Sequence, residues 1–379
     1  MRFEVSESDW GSLFCRNALW LLSVIPGVLL VEGRVLNQDE QWNGTDGVVA
    51  VVESVEVPNG RTLTIAAGTE VVMNPGVSIE VVNGGSLLIQ GKPDQVVRLL
   101  SSDPPLNWGR ISASGGGSRI IIEHADFSHG QLVFLDGAEG RVESSVFQDY
   151  IQGDKAIVKS ILSGPLVLRG CHFRRYYELQ LSGAVVVIEH CLFENPTTDA
   201  IDIDGAPPGS RVADSILRFG LGPGVDGLDM DNGSTVLVER CRIHHFTDKG
   251  ISIGAVNREI TVRDTLIYRV GTGIAVKDDS YALLENNTLA EASVVGLHLY
   301  EKNAGLGGGR AIASNLVLWN NQRDVLVEND STLELTSSIL QESILNHGES
   351  NLAVSPEFVH PDLGDFQLKS DSPARSGAG

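Results

Sequence analysis

Six short segments of the chain alternate apolar residues with polar or small ones. Their first apolar residues recur at intervals of 23 to 28 residues, at Ile201, Leu228, Ile251, Ile274, Leu297 and Val325. A repeat of that length is typical of a solenoid, in which each repeat adds one coil to a stack. Strict alternation places one row of side chains in a core and the other row outside. The segments therefore predict equivalent short strands on successive coils.

A second pattern accompanies the first one. Eight segments carry a small or polar residue two places before a final residue that is mostly apolar, and these positions are Ala125, Ser145, Cys171, Cys191, Ser215, Cys241, Thr265 and Asn287. We expect these residues to stack as an interior ladder. Two strand families with one period imply parallel sheets, and the LxxLxLxxN motif of a leucine-rich repeat is missing. The prediction is an all-β, right-handed, single-stranded parallel β-helix with about 22–28 residues per coil.

The N-terminal part of the chain divides into two stretches. Residues 48–100 read as successive strands punctuated by Gly, Asn and Pro turns. The apolar run at 18–31 is short for a membrane span and is interrupted by Pro26-Gly27, so no membrane span is expected. We assign residues 1–44 to a targeting signal or to the lead into the first strands, and residues 45–379 to the β-helix.

Composition excludes some partners. The 379 residues carry a net charge of −21, which disfavours nucleic acid and anionic membranes. Hydrophobic residues make up 42% and aromatic residues only 6%, as expected for a core of Val, Ile and Leu. The four cysteines show no metal-binding spacing. Because Cys171, Cys191 and Cys241 fall on the interior ladder, we expect them to be buried thiols; Cys15 is the fourth.

The outward positions of the six strands form two columns across the coils. Neighbouring strands of a sheet lie about 4.8 Å apart, so equivalent residues become neighbours in space. The first column reads Asp202, Asp229, Ser252, Ala275, His298 and Leu326, and the second reads Asp204, Asp231, Gly254, Lys277, Tyr300 and Glu328. The turns before these strands add Asp199, Asp226, Asp248 and Lys249.

Four carboxylates on two adjacent coils repel one another. Either a cation neutralises them or one of them holds a proton at a raised pKa. We therefore predict that Asp202, Asp204, Asp229 and Asp231 bind Ca²⁺ or share a proton. A solvated acidic face is the alternative, and Asp199, Asp226 and Asp248 can equally be turn formers.

The central segments, from TDAIDIDG through GTGIAVKDDS to LYEKNAGLGGG, resemble the right-handed β-helix module of bacterial secreted proteins. This module is of the pectate-lyase-like and polygalacturonase-like kind and is found beside CotH-type kinase-like and lamin-tail domains. RTLTIAAGTEVVM and NWGRI resemble its opening coils, and SPEFVHPDLGDFQLKSDSPARSGAG resembles its closing coil. The resemblance implies a secreted or cell-envelope protein that meets polysaccharide.

The likeness to polygalacturonases is partial. Asp226-Gly227 matches their first catalytic turn loosely, and Asp248-Lys249 has Lys in place of the second acid. Gly271-Thr272-Gly273 and Ala275-Val276-Lys277 replace the expected Gly-His-Gly and Arg-Ile-Lys motifs. These departures argue against galacturonan hydrolysis. Lyases and epimerases that resemble this module instead use an acid-held calcium or a basic residue to stabilise the carboxylate of a uronic acid.

Three function classes follow from these residues. The first is a uronic-acid lyase, epimerase or hydrolase; the second is a noncatalytic glycan- or calcium-binding surface module, and the third is a structural stalk. For the enzyme, the candidate catalytic residues are Asp229, Asp231, Asp248, Lys249, Lys277, His298 and Tyr300. The candidate substrate-binding residues are Asp199, Asp226, Ser252, Asp278, Glu301 and Lys302. We expect a monomer or a part of a larger multidomain chain.

Overall fold

The structure is a computed structural model that describes residues 27–44, 47–151, 154, 156–257, 259–341 and 348–375. It is an all-β, right-handed parallel solenoid with about 24 residues per coil and about 13 turns in total, as the repeat spacing predicted. Contacts divide the chain into two units, one up to Ala184 and one from Val185. We describe each unit by itself, and Cys15 lies outside the described residues.

The first unit repeats three short strands per coil. The strands are β1 (Val28–Val31), β2 (Arg34–Val35), β3 (Glu40–Trp42), β4 (Val48–Val51), β5 (Val55–Val57), β6 (Thr62–Ala66), β7 (Glu70–Met73), β8 (Ile79–Val82), β9 (Ser86–Gln90), β10 (Val97–Ser101), β11 (Arg110–Ser114), β12 (Arg119–Glu123), β13 (Ala125–Ser128), β14 (Gln131–Leu135), β15 (Glu139–Glu143), β16 (Val146–Tyr150), β17 (Ala156–Ile161), β18 (Leu166–Arg169), β19 (His172–Tyr176) and β20 (Glu178–Ser182). Every third strand pairs in parallel with the next of its kind, beginning with β1 and β4. The solenoid of this unit therefore includes residues that precede residue 45.

The second unit repeats the same plan. Its strands are β21 (Val186–Glu189), β22 (Leu192–Pro196), β23 (Ile201–Asp204), β24 (Ser210–Ala213), β25 (Ile216–Arg218), β26 (Leu228–Asp231), β27 (Thr235–Glu239), β28 (Arg242–His244), β29 (Lys249–Ile253), β30 (Glu259–Arg263), β31 (Leu266–Tyr268), β32 (Thr272–Lys277), β33 (Tyr281–Glu285), β34 (Thr288–Ala290), β35 (Val295–Tyr300), β36 (Arg310–Ser314), β37 (Val317–Trp319), β38 (Val325–Val327), β39 (Thr332–Thr336), β40 (Ile339–Leu340), β41 (Phe358–His360) and β42 (Asp365–Leu368). We call the parallel sheet of β22, β25, β28, β31, β34, β37 and β40 sheet A. Sheet B consists of β23, β26, β29, β32, β35 and β38, and sheet C consists of β21, β24, β27, β30, β33, β36 and β39.

The predicted alternation is present in sheet B. Ile201 and Ile203 are fully buried, whereas Asp202 and Asp204 are partly exposed on the opposite face of β23. The next strand, β26, has the same pattern. Because a slip of one residue would exchange the two faces, the burial of the isoleucines confirms the register deduced from the sequence.

The interior ladder of the second unit is held by hydrogen bonds from one coil to the next. The hydroxyl of Ser215 accepts a bond from the backbone N–H of Cys191 (3.0 Å), and that of Thr265 accepts one from Cys241 (3.3 Å). The Asn287 side chain accepts from the N–H of Thr265 (3.0 Å). These side chains satisfy buried N–H groups at a corner of the coil, which is why the ladder positions are small and polar.

A left-handed residue precedes each ladder position in the second unit. Such a backbone turns the chain sharply between sheet C and sheet A and favours Gly, Asn and Asp. The residues with positive φ at these corners are His190, Asp214, Arg240, Asp264 and Asn286. The three ladder cysteines, Cys171, Cys191 and Cys241, are buried, as predicted.

The closing segment does not form a further coil of the solenoid. Strands β41 and β42 instead form an antiparallel pair, linked by a short 3-10 helix at Pro361–Leu363. Phe358 and Phe366 of this pair pack with Tyr268 and Ala290 of sheet A. Arg242 donates a hydrogen bond to the Gly364 carbonyl (2.9 Å), which ties the pair to the same sheet. A second 3-10 helix follows at Pro373–Arg375.

Candidate functional site

The outward side of sheet B carries the columns that the sequence predicted. Residue pairing between strands gives Asp202 beside Asp229, Asp229 beside Ser252, Ala275 beside His298 and His298 beside Leu326. The second column pairs Asp204 with Asp231 and Lys277 with Tyr300. The structure therefore brings the acids and the Lys, His and Tyr side chains onto one surface of the second unit.

Three carboxylates form a close cluster at the start of these strands. Oxygen atoms of Asp199, Asp226 and Asp229 lie within 4.8 Å of one another. Two of the three also organise turns, because Asp199 accepts a bond from the N–H of Asp226 (2.8 Å) and Asp226 accepts one from the N–H of Lys249 (2.7 Å). Asp199 and Asp226 therefore have the turn-forming role that the sequence left open, and they also enter the acidic cluster.

Lys249 supplies a positive charge to this cluster. Its ammonium lies 3.5 Å from Asp226 Oδ1 and hydrogen-bonds to Asp248. The pKa of Asp226 is raised to about 7, mainly by burial and also by the nearby Asp199 and Asp248, while Lys249 lowers it. Burial lowers the pKa of Lys249, but Asp226 and Asp248 outweigh this, so that its pKa is above its usual 10.5. The cluster thus contains a carboxyl that titrates near neutral pH beside a firmly charged lysine.

The centre of the surface contains buried polar atoms that have no hydrogen-bond partner among the residues that the structure describes. They are Asp229 Oδ1, Asp231 Oδ1 and Ser252 Oγ. Native proteins pair nearly all buried polar atoms, and an unpaired one costs about 1–3 kcal/mol. Three such atoms lie on adjacent strands, and a bound ligand or water would satisfy them.

Lys277 lies next to these oxygens. It is only 2% exposed, and its ion pair in the described part of the chain is a 4.0 Å contact with Asp229 Oδ1, too long for a hydrogen bond. Its side chain crosses Gly254, where an added Cβ would lie 2.5 Å from Lys277 Cε and 2.7 Å from Asp231 Oδ1. Only glycine leaves room for the lysine at this point in the column. Ser252 and Ala275 are buried as well, although strand alternation faces them outward.

Asp231 is surrounded by charges of both signs. Burial and the neighbouring Asp229 raise its pKa above the usual 3.8, while Lys277 and Lys302 lower it. Its partner in the column, Asp204, accepts a bond from the Asn232 side chain (2.7 Å). Asp231 is therefore a carboxyl with a raised pKa and an unpaired oxygen, the two properties expected of a group that exchanges protons.

His298 and Tyr300 form a stacked pair on β35. Their ring centres are 4.2 Å apart, and His298 Nε2 lies 2.8 Å from Glu328 Oε2. Burial raises the pKa of Tyr300 above 10, with Lys249 acting in the opposite direction, so the phenol keeps its proton at neutral pH. The Glu328 contact engages the histidine, which leaves Tyr300 as the better proton donor of the two.

Two of the predicted substrate-binding acids, Asp278 and Glu301, hydrogen-bond to the connection that follows β35. Asp278 is buried and accepts hydrogen bonds from the N–H groups of Lys302 (2.7 Å) and Asn303 (2.9 Å). Glu301 accepts from the N–H groups of Gly305 (2.7 Å) and Gly307 (3.0 Å). Both acids therefore hold the connection that follows β35, whereas the Lys302 side chain is exposed.

Oxygen ligands for a hard cation are present at this surface. The close group among the described residues is Asp199, Asp226 and Asp229, rather than the four strand acids proposed from the sequence. The unpaired Asp229 Oδ1 and the all-carboxylate donors fit Ca²⁺, which binds six to eight oxygens. Lysines at 3.5 Å from Asp226 and 4.0 Å from Asp229 already compensate part of the negative charge. The three acids would hold such an ion at the edge of the surface.

Some contributors to the site were not singled out from the sequence. Gly254 opens the path for Lys277, Glu328 engages His298, and Asn303 joins Lys302 on Asp278; the Asn303 Nδ2–Asp278 Oδ2 distance is 2.6 Å. The role of Gly254 could have been suspected from the sequence, because it is the one residue without a side chain in the second outward column. Among the described residues, no helix is long and apolar enough to cross a membrane.

Comparison with solved structures finds matches of low sequence identity. A double mutant of the periplasmic alginate epimerase AlgG matches with a TM-score of 0.52 and 13% identity, covering 88% of this chain and 82% of that chain. Pectate lyase Pel9A matches with a TM-score of 0.42 and 12% identity, covering 84% and 82%. An alginate lyase from Paenibacillus sp. str. FPU-7 matches with a TM-score of 0.30 and 12% identity, covering 70% and 92%. At 13% identity, the likeness to the epimerase shows a common fold.

Sequence comparison reaches the same architecture independently. A search of the curated proteins finds no match. The family described as "Right handed beta helix region" matches at residues 109–305 and 209–354, well over half of the 379 residues. The chain therefore belongs to the right-handed β-helix family.

Proposed function

We propose that the outward surface of sheet B binds an acidic polysaccharide and moves a proton on one of its uronic-acid units, as a lyase or an epimerase does. The observation that carries the proposal is Lys277, a buried lysine whose ion pair among the described residues is a 4.0 Å contact, beside three buried oxygens that have no hydrogen-bond partner in that part of the chain. Groups left unpaired in this way destabilise a fold, and a substrate that brings a carboxylate and hydroxyls would complete their bonding.

Charge supports an anionic substrate at this place. The protein as a whole has a net charge of −21 and would repel a polyanion. Lys277, Lys249 and Lys302 nevertheless place three ammonium groups among the acids of sheet B, where they can contact an anionic group directly. In the proposal, the Lys277 ammonium binds the carboxylate of the reacting sugar and stabilises the negative charge that develops there when the adjacent carbon loses its proton.

The proton transfers then follow from the neighbouring groups. Asp231 takes the proton from the carbon next to the substrate carboxylate, and the electron pair moves into that carboxylate. In an epimerase, Tyr300 returns a proton to the other face of the same carbon, and the phenol is reprotonated by solvent. In a lyase, the electron pair instead forms a C=C bond as the C–O bond to the next sugar breaks, and Tyr300 protonates the leaving oxygen.

Two further expectations belong to this proposal. The epimerase that shares the fold is periplasmic and acts on alginate, which supports a polysaccharide substrate and a secreted or envelope location for this chain. Asp199, Asp226 and Asp229 would hold Ca²⁺, which would supply positive charge beside an acidic substrate, while the chain's own lysines and acids bind the reacting sugar. Hydrolysis is disfavoured, because Lys249 stands where the second acid of the polygalacturonase pattern is expected.

The test is a screen of uronic-acid polymers with native protein and three variants. Ultraviolet absorbance of the unsaturated product detects a lyase, and the proton NMR ratio of the two epimers detects an epimerase. Lys277→Met and Asp231→Asn should lower either activity by at least about a hundredfold, the range of one acid–base group. The control Lys369→Met removes an exposed lysine outside sheet B and should retain activity. Tight binding of polymers without either product would instead indicate a noncatalytic binding module.

A further inference from the structure

The connection after β35 differs from its equivalents in the second unit. It joins a strand of sheet B to the next strand of sheet C and contains nine residues, 301–309. The five other connections of this kind in the unit contain three to five residues each. The additional chain lies at the end of the strand that carries His298 and Tyr300, so the connection borders the candidate site.

Asp278 fixes the position of this connection. It is 1% exposed and directly follows Lys277. Its two carboxylate oxygens accept three hydrogen bonds, from the N–H groups of Lys302 and Asn303 and from the Asn303 side chain, at 2.6 to 2.9 Å. Bonds from neutral donors to an ionised carboxylate are among the stronger hydrogen bonds in proteins. The backbone of Lys302 is thereby bound to Asp278, the residue that directly follows Lys277 in the sequence.

Other residues of the connection are held by hydrogen bonds within it and to its neighbours. Glu301 accepts hydrogen bonds from Gly305 and Gly307, and the Gly307 carbonyl accepts one from the N–H of Asp279 at 3.3 Å. Gly305 and Gly307 have φ values of 89° and 87°, which glycine adopts without strain. An ion pair of Arg310 with Asp279 (2.8 Å) secures the end of the connection. These contacts give the site a fixed wall on this side.

Lys302 is the charged side chain that this wall presents. Its side chain is exposed and makes no ion pair within the described residues, although its backbone is tied to Asp278. Lys277 pairs with Tyr300 on the neighbouring strand, and Lys302 follows Tyr300 by two residues. Because the Lys302 N–H also binds Asp278, the residue after Lys277, the backbones of the two lysines lie close together on adjacent coils.

We infer that Lys302 forms a second anion-binding subsite beside Lys277, so that the site takes a polymer with carboxylates on neighbouring sugars. In this arrangement Asp278 and Glu301 are positioning residues that hold the connection and do not contact the sugar. The inference rests on the proposed function, because it assigns the sugar at Lys277 to the reaction and the next sugar to Lys302. It predicts selectivity for uniformly charged polyuronates over polymers in which neutral and acidic sugars alternate.

Calorimetric titration with oligouronates of defined length tests the subsite. Lys302→Met should weaken binding of the oligomer about tenfold and reduce its dependence on salt, while a single uronic acid should lose much less. Lys302→Arg keeps the charge and should restore most of the affinity, and Lys369→Met serves as the matched control on an exposed lysine. Equal affinity of native protein and Lys302→Met for the oligomer would overturn the subsite.

The role of Asp278 has its own test. Asp278→Asn should weaken oligomer binding about as much as Lys302→Met, and the double variant should lose no more than Lys302→Met alone. Losses that add in the double variant would show that Asp278 does not act through Lys302. If Asp278→Asn does not fold, Asn303→Ala removes only the side-chain bond to Asp278 and should still raise KM more than it lowers kcat; an unchanged KM would overturn the positioning role.

The same titrations separate this inference from the proposed function. Native protein that binds oligouronates with the predicted Lys302 dependence but gives no lyase or epimerase product would refute the reaction and keep the subsite. A catalytically active protein whose binding is insensitive to Lys302→Met would keep the reaction and refute the subsite. Native protein that binds no oligouronate at all would overturn both.

Discussion

Asp226 provides the sharpest link between the geometry of the site and a measurable free energy. Its carboxyl is 5% exposed, accepts the N–H of Lys249, and lies within 4.8 Å of two other carboxylates. Its pKa is raised from 3.8 to about 7, mainly by burial and also by Asp199 and Asp248, against a lowering by Lys249. We predict that Asp226→Asn changes the pH dependence of the free energy of unfolding.

The sign and size follow from proton linkage. A folded-state pKa above the unfolded value means that the native state binds the proton more tightly. The resulting stabilisation is complete below pH 3.8 and is lost as the pH rises through about 7. At about 1.4 kcal/mol per pKa unit, the change across this interval is about 4 kcal/mol. Asparagine does not titrate and still offers an oxygen to the Lys249 N–H, so the variant lacks this change.

Urea denaturation of both proteins at several pH values between about 4 and 8 measures the effect. The stability of the native protein relative to Asp226→Asn should fall by about 4 kcal/mol from the acid end to the alkaline end. Asp214 is the control, because its hydrogen bond to Arg240 lowers its pKa below 3.8 and places its titration below this interval. A native-minus-variant difference that is constant with pH for Asp226→Asn would refute the assigned electrostatics.

Three further predictions concern stability. Ser252→Ala removes a buried hydroxyl that has no partner among the described residues, and it should leave the free energy of unfolding unchanged or raise it by about 1 kcal/mol. The control Ser234→Ala breaks hydrogen bonds and should lower the free energy of unfolding. Equal losses for the two variants in urea denaturation would contradict this prediction. Asn287→Leu leaves the Thr265 N–H without its acceptor and should cost about 2–4 kcal/mol in the same assay. Millimolar calcium should raise the melting temperature of native protein modestly and that of Asp199→Asn/Asp229→Asn less; an identical, calcium-independent response in both would rule out the metal site.

The fold could be predicted because alternation and spacing are local properties of the sequence. Ile201 and Ile203 fix which face of β23 is buried, and one wrong register would have exchanged the faces. The ladder of Cys191, Ser215 and Thr265 was likewise visible as a repeated position. The left-handed corners were not recognised, because residues such as Arg240 adopt that backbone only under the constraint of the surrounding coils.

The site was predicted less completely than the fold. The columns correctly brought Asp229, Asp231 and Lys277 together, since register alone determines which residues are neighbours. Alternation could not show that Lys277 is buried. Its side chain lies against Gly254, and this packing depends on the absence of a side chain at that position. Nor could it show that Asp278 serves the connection after β35, since those hydrogen bonds depend on the conformation of nine residues outside any strand.

The measurement that tests the central claim most directly is solvent exchange at the reacting carbon. Native protein is incubated with a polyuronate in D₂O, and the recovered sugar is analysed by NMR and mass spectrometry for deuterium at the carbon next to the carboxylate or, for a lyase, for the unsaturated product. We predict that native protein transfers that proton and that Lys277→Met and Asp231→Asn reduce the rate by at least about a hundredfold. Absence of both exchange and elimination with polymers that the native protein binds, or full exchange in the two variants, would contradict the assignment of proton transfer to sheet B.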